Sequence, residues 1–364
     1  MNDIDLRLSK RLKSHTAYLP GEQPSNTQIV VKLNTNENPY PPSPAVEDAI
    51  NKEVGLLNLY PNPSSCELRK EIASLNDLSP REVIVGNGSD DLLNLCVRCF
   101  SDDDLSVGML YPSYSLYEVL TGIQGSKMIK VSFDDNEFSL CPEKISSSAV
   151  NLFFLTNPHA PSGRCYALEE LREVLRNYQG LLVIDEAYAD FAPYNARPLL
   201  NEFDNLIITR TFSKSYSLAG LRVGYALGNS KIIKELDKVR EVYNVDRLAQ
   251  VGAVAALRDR SYFKNCLAKV KEQRDFMEST FKELKWPYIP SGANFIFVKP
   301  LDPKGNSSAE IANSLFEYLR ANNILVRYFP KHPLTSSFIR ISIGKPSEMS
   351  MLKDKIRGWI EKEK

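Results

Sequence analysis

The sequence lacks an excess of either charge: 45 lysines and arginines stand against 45 aspartates and glutamates in 364 residues, with no long basic run. That balance argues against nucleic acid or an anionic membrane as a partner and favours small molecules. Long hydrophobic runs are also missing. Nowhere do about eighteen apolar residues follow one another, and the opening MNDIDLRLSKRLK has no apolar stretch of the secretory kind. A soluble, cytoplasmic protein is expected. The six cysteines (Cys66, Cys96, Cys99, Cys141, Cys165, Cys266) are scattered, without the density of a disulfide scaffold, so reduced thiols are expected. Cys96 and Cys99 form a CxxC, but no second CxxC or nearby histidine completes a metal set, and LLNLCVRCF reads as a buried helix face. The GxGxxG spacing and the Walker GK[ST] are absent as well, so neither a dinucleotide nor a nucleoside triphosphate is indicated. There is no repeat of about 20 to 50 residues and no low-complexity tract.

What the chain does contain is a series of short β-branched or aromatic runs: EVIVG (82–86), LSVGML (105–110), MIKVSF (128–133), NLFFLTN (151–157), LLVIDEAY (181–188), NLIITRTF (205–212) and RVGYALG (222–228). Several are apolar throughout, as in strands covered on both faces by helices. Amphipathic stretches separate many of them; in ALEELREVLRNYQG, Leu168, Leu171, Val174 and Leu175 share a face and Gly180 ends the element. The pattern predicts an α/β fold with a large, mostly parallel sheet sandwiched by helices. After Gly228 come charged helical stretches, KIIKELDKVREVYN and then about 247–285. NFIFVKP, NILVRYF and FIRISIG follow, with a helix near 308–322, which predicts a smaller α+β domain. The expected division is 45–245 for the large domain, and 1–44 with 246–364 for the small one. The first forty residues, rich in Pro, Asn and Ser, are too irregular to fold alone and are expected to drape over the large domain.

Four features carry chemistry. Lys214 stands just past a central strand, where open α/β sheets place ligands, amid five small hydroxyl residues in TRTFSKSYS. Asp185 ends the apolar strand LLVID at the same sheet edge. A buried carboxylate needs a cationic partner, and a protonated pyridine nitrogen would be one. Asn157 ends another strand, with Pro158, Pro161 and Gly163 forcing an irregular loop after it, and its amide can donate to a phenolate oxygen. EVIVGNGSDDLL is a strand, a Gly turn and a helix start, whose N–H groups at Gly88, Ser89 and Asp90 form an anion site. An amine, a carboxylate for a ring nitrogen, an amide for a ring oxygen and a phosphate cradle together predict a pyridoxal 5′-phosphate site.

The ordered series NGSD, YPSY, NP-x2-P-x-G, DEAY, TFSK and AGLRVG resembles the fold-type I, pyridoxal-phosphate-dependent aminotransferases along nearly the whole chain. Within them AYLPG, LNTNENPYPPSP, LYPNP, ILVRYF and FIRISIG look most like the histidinol-phosphate aminotransferases. The resemblance implies that Lys214 captures the cofactor aldehyde and Asp185 pairs the pyridinium. It implies Asn157 and Tyr188 on the ring oxygen, Tyr114 on the ring face, and Gly88, Ser89, Asp90, Thr211, Ser213 and Arg222 around the phosphate. It also implies a homodimer in which Tyr60 reaches the partner's cofactor, and a substrate end made of Tyr18, Asn36, Arg327 and Arg340. Two arginines suit a dianionic phosphate such as that of histidinol phosphate, and glutamate would use the same pair when 2-oxoglutarate is the acceptor. Threonine-phosphate decarboxylase and aromatic amino-acid aminotransferase share the cofactor residues and are the rival activities; a non-catalytic cofactor binder is a remote third. One loop departs from the family pattern, NPHAPSG standing where NPNNPTG is usual, and His159 there, like His15 and His332, reads as a loop residue without an implied partner.

Overall fold

The computed structural model describes residues 7–12, 15–24, 30–135 and 137–363. Thirteen strands and twelve α-helices are described. The large sheet comprises β2 (Val83–Gly86), β3 (Val107–Tyr111), β4 (Met128–Ser132), β5 (Leu152–Thr156), β6 (Leu181–Asp185), β7 (Leu206–Thr211) and β8 (Gly224–Gly228). Its order is β2-β8-β7-β6-β5-β3-β4, and only β8 runs antiparallel to its neighbours. All seven runs singled out in the sequence form this sheet. The absence of polar alternation has a plain cause: β2, β5, β7 and β8 are buried on both faces.

Side-chain alternation sorts the strands onto two cores. Phe153, Leu155, Leu182 and Ile184 lie on one side with Leu171, Val174 and Leu175 of α6 (Leu168–Asn177). Leu152, Phe154 and Val183 lie on the other with Leu92, Leu93 and Cys96 of α3 (Ser89–Phe100) and Tyr117 of α4 (Leu116–Gln124). Cys96 is thus a core residue of α3, as its helix pattern predicts. Helices α1 (Pro44–Glu53), α2 (Cys66–Leu75), the short α5 (Pro142–Ser147) and α7 (Ser230–Val239) complete the large layer.

The stretch taken as helical over 247–285 is two helices, α8 (Arg247–Arg258) and α9 (Arg260–Glu283). Asp259 between them takes a non-helical conformation and accepts the Tyr262 N–H as the N-cap of α9. Ala249, Ala253 and Leu257 of α8 share a core with Val46 of α1 and Leu68 of α2. The packing therefore sets α8 with α1 and α2 of the large layer, past the division drawn at residue 245.

The small domain holds the antiparallel sheet β12-β13-β10-β9, from β9 (Tyr288–Ile289), β10 (Phe295–Val298), β12 (Arg327–Tyr328) and β13 (Ile339–Ser342). It is covered by α10 (Ala309–Ala321) and α12 (Pro346–Lys362), with the short α11 (Pro333–Ser336) at one edge. NILVRYF splits at Val326: β11 (Ile324–Leu325) pairs in parallel with β1 (Val31–Lys32), while β12 joins the main small sheet. The N-terminal segment therefore serves both domains. Arg11 donates to Gln124 O at the end of α4, whereas Leu33 enters the small-domain core. The segment thus touches the large domain, and the β1–β11 pairing joins it to the small domain as well.

Candidate active site

Alternation along β6 turns Asp185 to the same side as Val183, toward α3 and α4. The carboxylate is buried; Tyr117 donates its hydroxyl to Oδ2 at 2.8 Å and the Ala187 N–H reaches Oδ1 at 3.2 Å. Tyr117 is held by stacking on Phe154, with ring centroids 4.6 Å apart, and its oxygen lies 2.9 Å from Thr156 Oγ1. Burial pushes the Asp185 carboxyl up to about 6, and no cation is among its hydrogen-bond partners in the described residues. Just past the neighbouring strand β5, Asn157 points its Oδ1 at the Tyr166 N–H, 2.8 Å away, which leaves Nδ2 as the end available to a ligand oxygen.

The cradle forms where β2 turns into α3 against the loop after β7. Gly88 is the N-cap residue of α3 with φ of 82°, and a methyl group there would stand 2.4 Å from Arg222 Nη2. A side chain at Gly224 would meet Ser89 N at 2.4 Å, so two glycines let the helix start approach the loop. Arg222 is itself in the left-handed region, with φ of 52°. That conformation sends its guanidinium back across the loop to donate to Ser213 Oγ and Asp90 Oδ2, both at 3.2 Å. Thr211 Oγ1 accepts the Ser213 N–H at 3.1 Å. The first turn of α3, the Thr211 and Ser213 hydroxyls and the Arg222 guanidinium converge here, an arrangement that suits a phosphate.

Lys214 is half-buried between this cradle and the N-terminal segment. Its Nζ donates to Thr35 O at 3.0 Å and stands 5.9 Å from the centre of the Tyr188 ring. Burial lowers its pKa to about 8, and Arg340 pushes the same way. Asn36 Nδ2 donates to Tyr188 Oη at 3.0 Å, and Ser342 Oγ donates to Asn36 Oδ1 at 2.8 Å. Tyr114 donates to Asp90 Oδ1 at 3.2 Å and meets Tyr18 edge-on at 6.0 Å. Arg327 and Arg340 are direct register partners on β12 and β13 and so share a face. Arg340 donates to Asn34 O at 3.1 Å, and its buried Nε has no partner among the described residues. Among the described residues Arg327 makes two long hydrogen bonds, 3.4 Å each, to the Leu19 and Pro20 carbonyls, and its guanidinium stands 5.6 Å from the centre of the Phe329 ring.

Of the residues singled out in the sequence, only Tyr60 stands apart. It is 78% exposed and stacks on Tyr243, with centroids 4.5 Å apart. His159 requires a correction, because it is fully buried and bonded to Ser162 and to Pro112 O rather than a partnerless loop residue. His332 also has a partner: its Nδ1 accepts the Leu334 N–H at the start of α11. Sequence reading missed Tyr117 and Thr156, the polar support of Asp185, because Tyr117 in LYEVL looks like any core aromatic. It also missed Thr35 and Asn38, whose Nδ2 donates to Lys214 O at 3.0 Å. Among the described residues no cluster of histidine, cysteine, aspartate or glutamate could hold a metal ion.

The residues present fit a phosphorylated, cationic ring: a glycine-lined cradle for its anion, a cation-seeking carboxylate at its centre and an amine beside it. This defines a class of protein, and comparison with known families agrees. The model of "Aminotransferase class I and II" matches residues 28–356, and the chain belongs to that family. It is 44% identical over 344 residues to histidinol-phosphate aminotransferase of Syntrophotalea carbinolica, spanning 94% of this chain and 96% of that one. It is 43% identical over 350 residues to histidinol-phosphate aminotransferase of Synechocystis, spanning 96% of each. The crystal structure of histidinol-phosphate aminotransferase from Sinorhizobium meliloti in complex with pyridoxal 5′-phosphate superposes with a TM-score of 0.85 over 92% of both chains, at 27% identity. No described helix is long and apolar enough to cross a membrane.

Proposed function

We infer that the chain is a pyridoxal-phosphate-dependent aminotransferase that moves the amino group between L-histidinol phosphate and 2-oxoglutarate in histidine biosynthesis, working in the cytoplasm. The observation that carries the cofactor assignment is Asp185, a buried carboxylate without a protein cation, at the same sheet edge as Lys214. When bound, pyridoxal 5′-phosphate supplies an aldehyde that captures primary amines and a protonated ring that absorbs the electron pair left when a Cα proton departs. Asp185 would hold a proton on the ring nitrogen, with the hydroxyl of Tyr117 keeping that carboxylate aimed. Asn157 and Tyr188 would bind the ring oxygen, and Tyr114 would cover the ring. The N–H groups of Gly88, Ser89 and Asp90, with Thr211, Ser213 and Arg222, would hold the phosphate. Lys214, with its pKa brought down to about 8 by burial, would be the amine that holds the cofactor aldehyde and the base that takes the proton from the substrate Cα. Arg327 and Arg340, with Tyr18 and Asn36, bind the substrate's anionic end.

A homodimer belongs to the same reading. Val54, Leu56, Leu57, Leu59, Val242 and the stacked pair Tyr60 and Tyr243 are exposed large hydrophobics, and such a patch supports the docking of a second copy. Sedimentation would report it.

Single-turnover absorbance tests the substrate. The cofactor-loaded protein is mixed with L-histidinol phosphate, O-phospho-threonine or phenylalanine in turn. Conversion to the amine form of the cofactor is expected to be fastest with histidinol phosphate and to be reversed by 2-oxoglutarate. Release of CO2 from O-phospho-threonine, or a preference for phenylalanine, would overturn the assignment while keeping the fold.

A further inference from the structure

His159 stands where the family pattern has asparagine, and the structure gives its imidazole two definite partners. Nε2 lies 3.1 Å from Pro112 O, an atom that can only accept, so Nε2 carries the hydrogen. Nδ1 is then the acceptor for the Ser162 hydroxyl at 2.8 Å, and Ser162 Oγ itself accepts the Arg164 N–H at 3.2 Å. The ring packs between Phe133 and Phe138, with centroids 5.1 and 5.4 Å away. No charged group is among its hydrogen-bond partners, and burial drives its pKa down to about 3, so it stays neutral near physiological pH.

The bond to Pro112 O falls where the sheet stops. β3 and β5 pair from Val107↔Leu152 to Met109↔Phe154 and then part. Beyond that point Ser113 Oγ of the loop after β3 stands 3.2 Å from Thr156 Oγ1 at the end of β5, and His159 joins the two loops. Pro112 is two residues before Tyr114, and His159 is two residues after Asn157. We propose that His159 is a positioning residue, whose neutral Nε2–H imidazole ties the loop after β5 to the loop after β3 and so fixes Asn157 and Tyr114 relative to one another at the cofactor ring. The proposal rests on the reading of this site as a pyridoxal-phosphate pocket.

Two substitutions divide the imidazole's contacts. In His159→Asn the Oδ1 stands in for Nδ1, so the Ser162 bond survives and the link to Pro112 is lost. In His159→Gln the Nε2 amide stands in for the ring Nε2, so the link survives and the Ser162 bond is lost. Affinity of each apoprotein for pyridoxal 5′-phosphate is measured by equilibrium dialysis, and apoprotein melting in parallel. His159→Asn is expected to bind the cofactor about tenfold more weakly, the effect of one lost buried hydrogen bond, while His159→Gln stays within about twofold of the parent. Equal affinities for the two variants, with both melting lower, would reduce His159 to a structural residue and overturn the proposal. Failure of the parent protein to bind the cofactor would instead overturn the reading of the site. The tautomer is checked separately in unsubstituted protein labelled with 15N-histidine. With three histidines in the chain, the His159 signals are assigned by their loss in His159→Gln. A neutral Nε2–H ring from about pH 8 to about pH 5.5 is expected; titration in that range, or an Nδ1–H ring, would rule the cross-link out.

Discussion

Asp185 and Glu186 are consecutive buried carboxylates at the end of one strand, and they end in opposite surroundings. Glu186 turns to the side away from α3 and α4, where Arg210 of β7 donates to its Oε2 through Nε at 2.9 Å and Nη2 at 2.7 Å. Burial pushes both carboxyls up, but for Glu186 the Arg210 guanidinium pulls back. Asp185 has a tyrosine hydroxyl and one backbone N–H. One carboxylate is closed within the protein; the other is supported by neutral donors and left open toward a cation the chain does not contain. The difference separates a structural ion pair from a ligand site more sharply than burial does, since both residues are almost completely buried.

If the open side is where chemistry happens, substitutions there should stop turnover with little effect on folding. Lys214→Ala is the extreme case. It is expected to lower kcat by about 10⁴-fold or more, with circular dichroism unchanged. Borohydride, which should fix the cofactor to the parent chain, should add no mass to this variant. Turnover at the parent rate would end the mechanism. Glu186→Gln tests the closed side, because it strands the Arg210 charge in the interior. A loss of about 3–5 kcal/mol in denaturant unfolding of the apoprotein is expected, larger than any change in kcat measured well below the melting temperature. A variant that folds normally and fails only in catalysis would put Glu186 on the functional side after all.

Asp185→Asn should give the reverse result. Turnover is expected to fall on the order of 10²–10³-fold, as for other preorganised electrostatic groups. The apoprotein should lose nothing in stability and should gain above pH 6. The sign follows from the raised carboxyl. The unfolded carboxyl titrates near about 3.9 and the folded one near about 6, so between those values the folded state binds more protons than the unfolded state. Stability therefore falls as pH rises through that window, by about 3 kcal/mol for a shift of about two units, and the penalty is complete above it. Asp185→Asn removes this slope. Parallel pH profiles for the parent and variant apoproteins would mean that Asp185 is not uncompensated.

The open side was also the side legible in the sequence. Lys214, Asp185, Asn157, Arg222 and the NGSD turn lie next to strand ends and glycines, where spacing along the chain fixes their place in space. Strands β2, β5, β7 and β8 were legible because burial on both faces leaves runs without polar alternation. Tyr117 and the Glu186–Arg210 pair were not. Tyr117 meets Asp185 across 68 positions of sequence, and Arg210 meets Glu186 across 24, with nothing local to mark either contact. His159 was misread because its partner, Pro112 O, is a backbone atom 47 residues away. The break at Asp259 was hidden because the helical pattern continues on both sides of a residue that caps one helix as it ends the other.

The same contrast of closed and open groups recurs in the small sheet and yields the smallest predicted effect. Arg340 is the inner arginine. It is anchored to Asn34 O and flanked by Phe295 and Phe329, with ring centres 5.2 and 5.3 Å from its guanidinium carbon, and burial holds its pKa below the usual arginine value. Arg327 beside it also stands over Phe329, 5.6 Å from the ring centre, but its hydrogen bonds among the described residues are two long ones to the Leu19 and Pro20 carbonyls, which a substrate anion can replace. The inner arginine should therefore serve every anionic substrate and the outer one chiefly the dianion. Arg340→Ala is expected to cut kcat/KM about 10- to 100-fold for both histidinol phosphate and glutamate, the range for hydrogen bonds to a charged group. Arg327→Ala should cost about tenfold with histidinol phosphate, appear mostly in KM, and leave phenylalanine nearly untouched. Equal losses of histidinol phosphate and phenylalanine turnover in Arg327→Ala would mean that both arginines are structural supports of one undivided pocket.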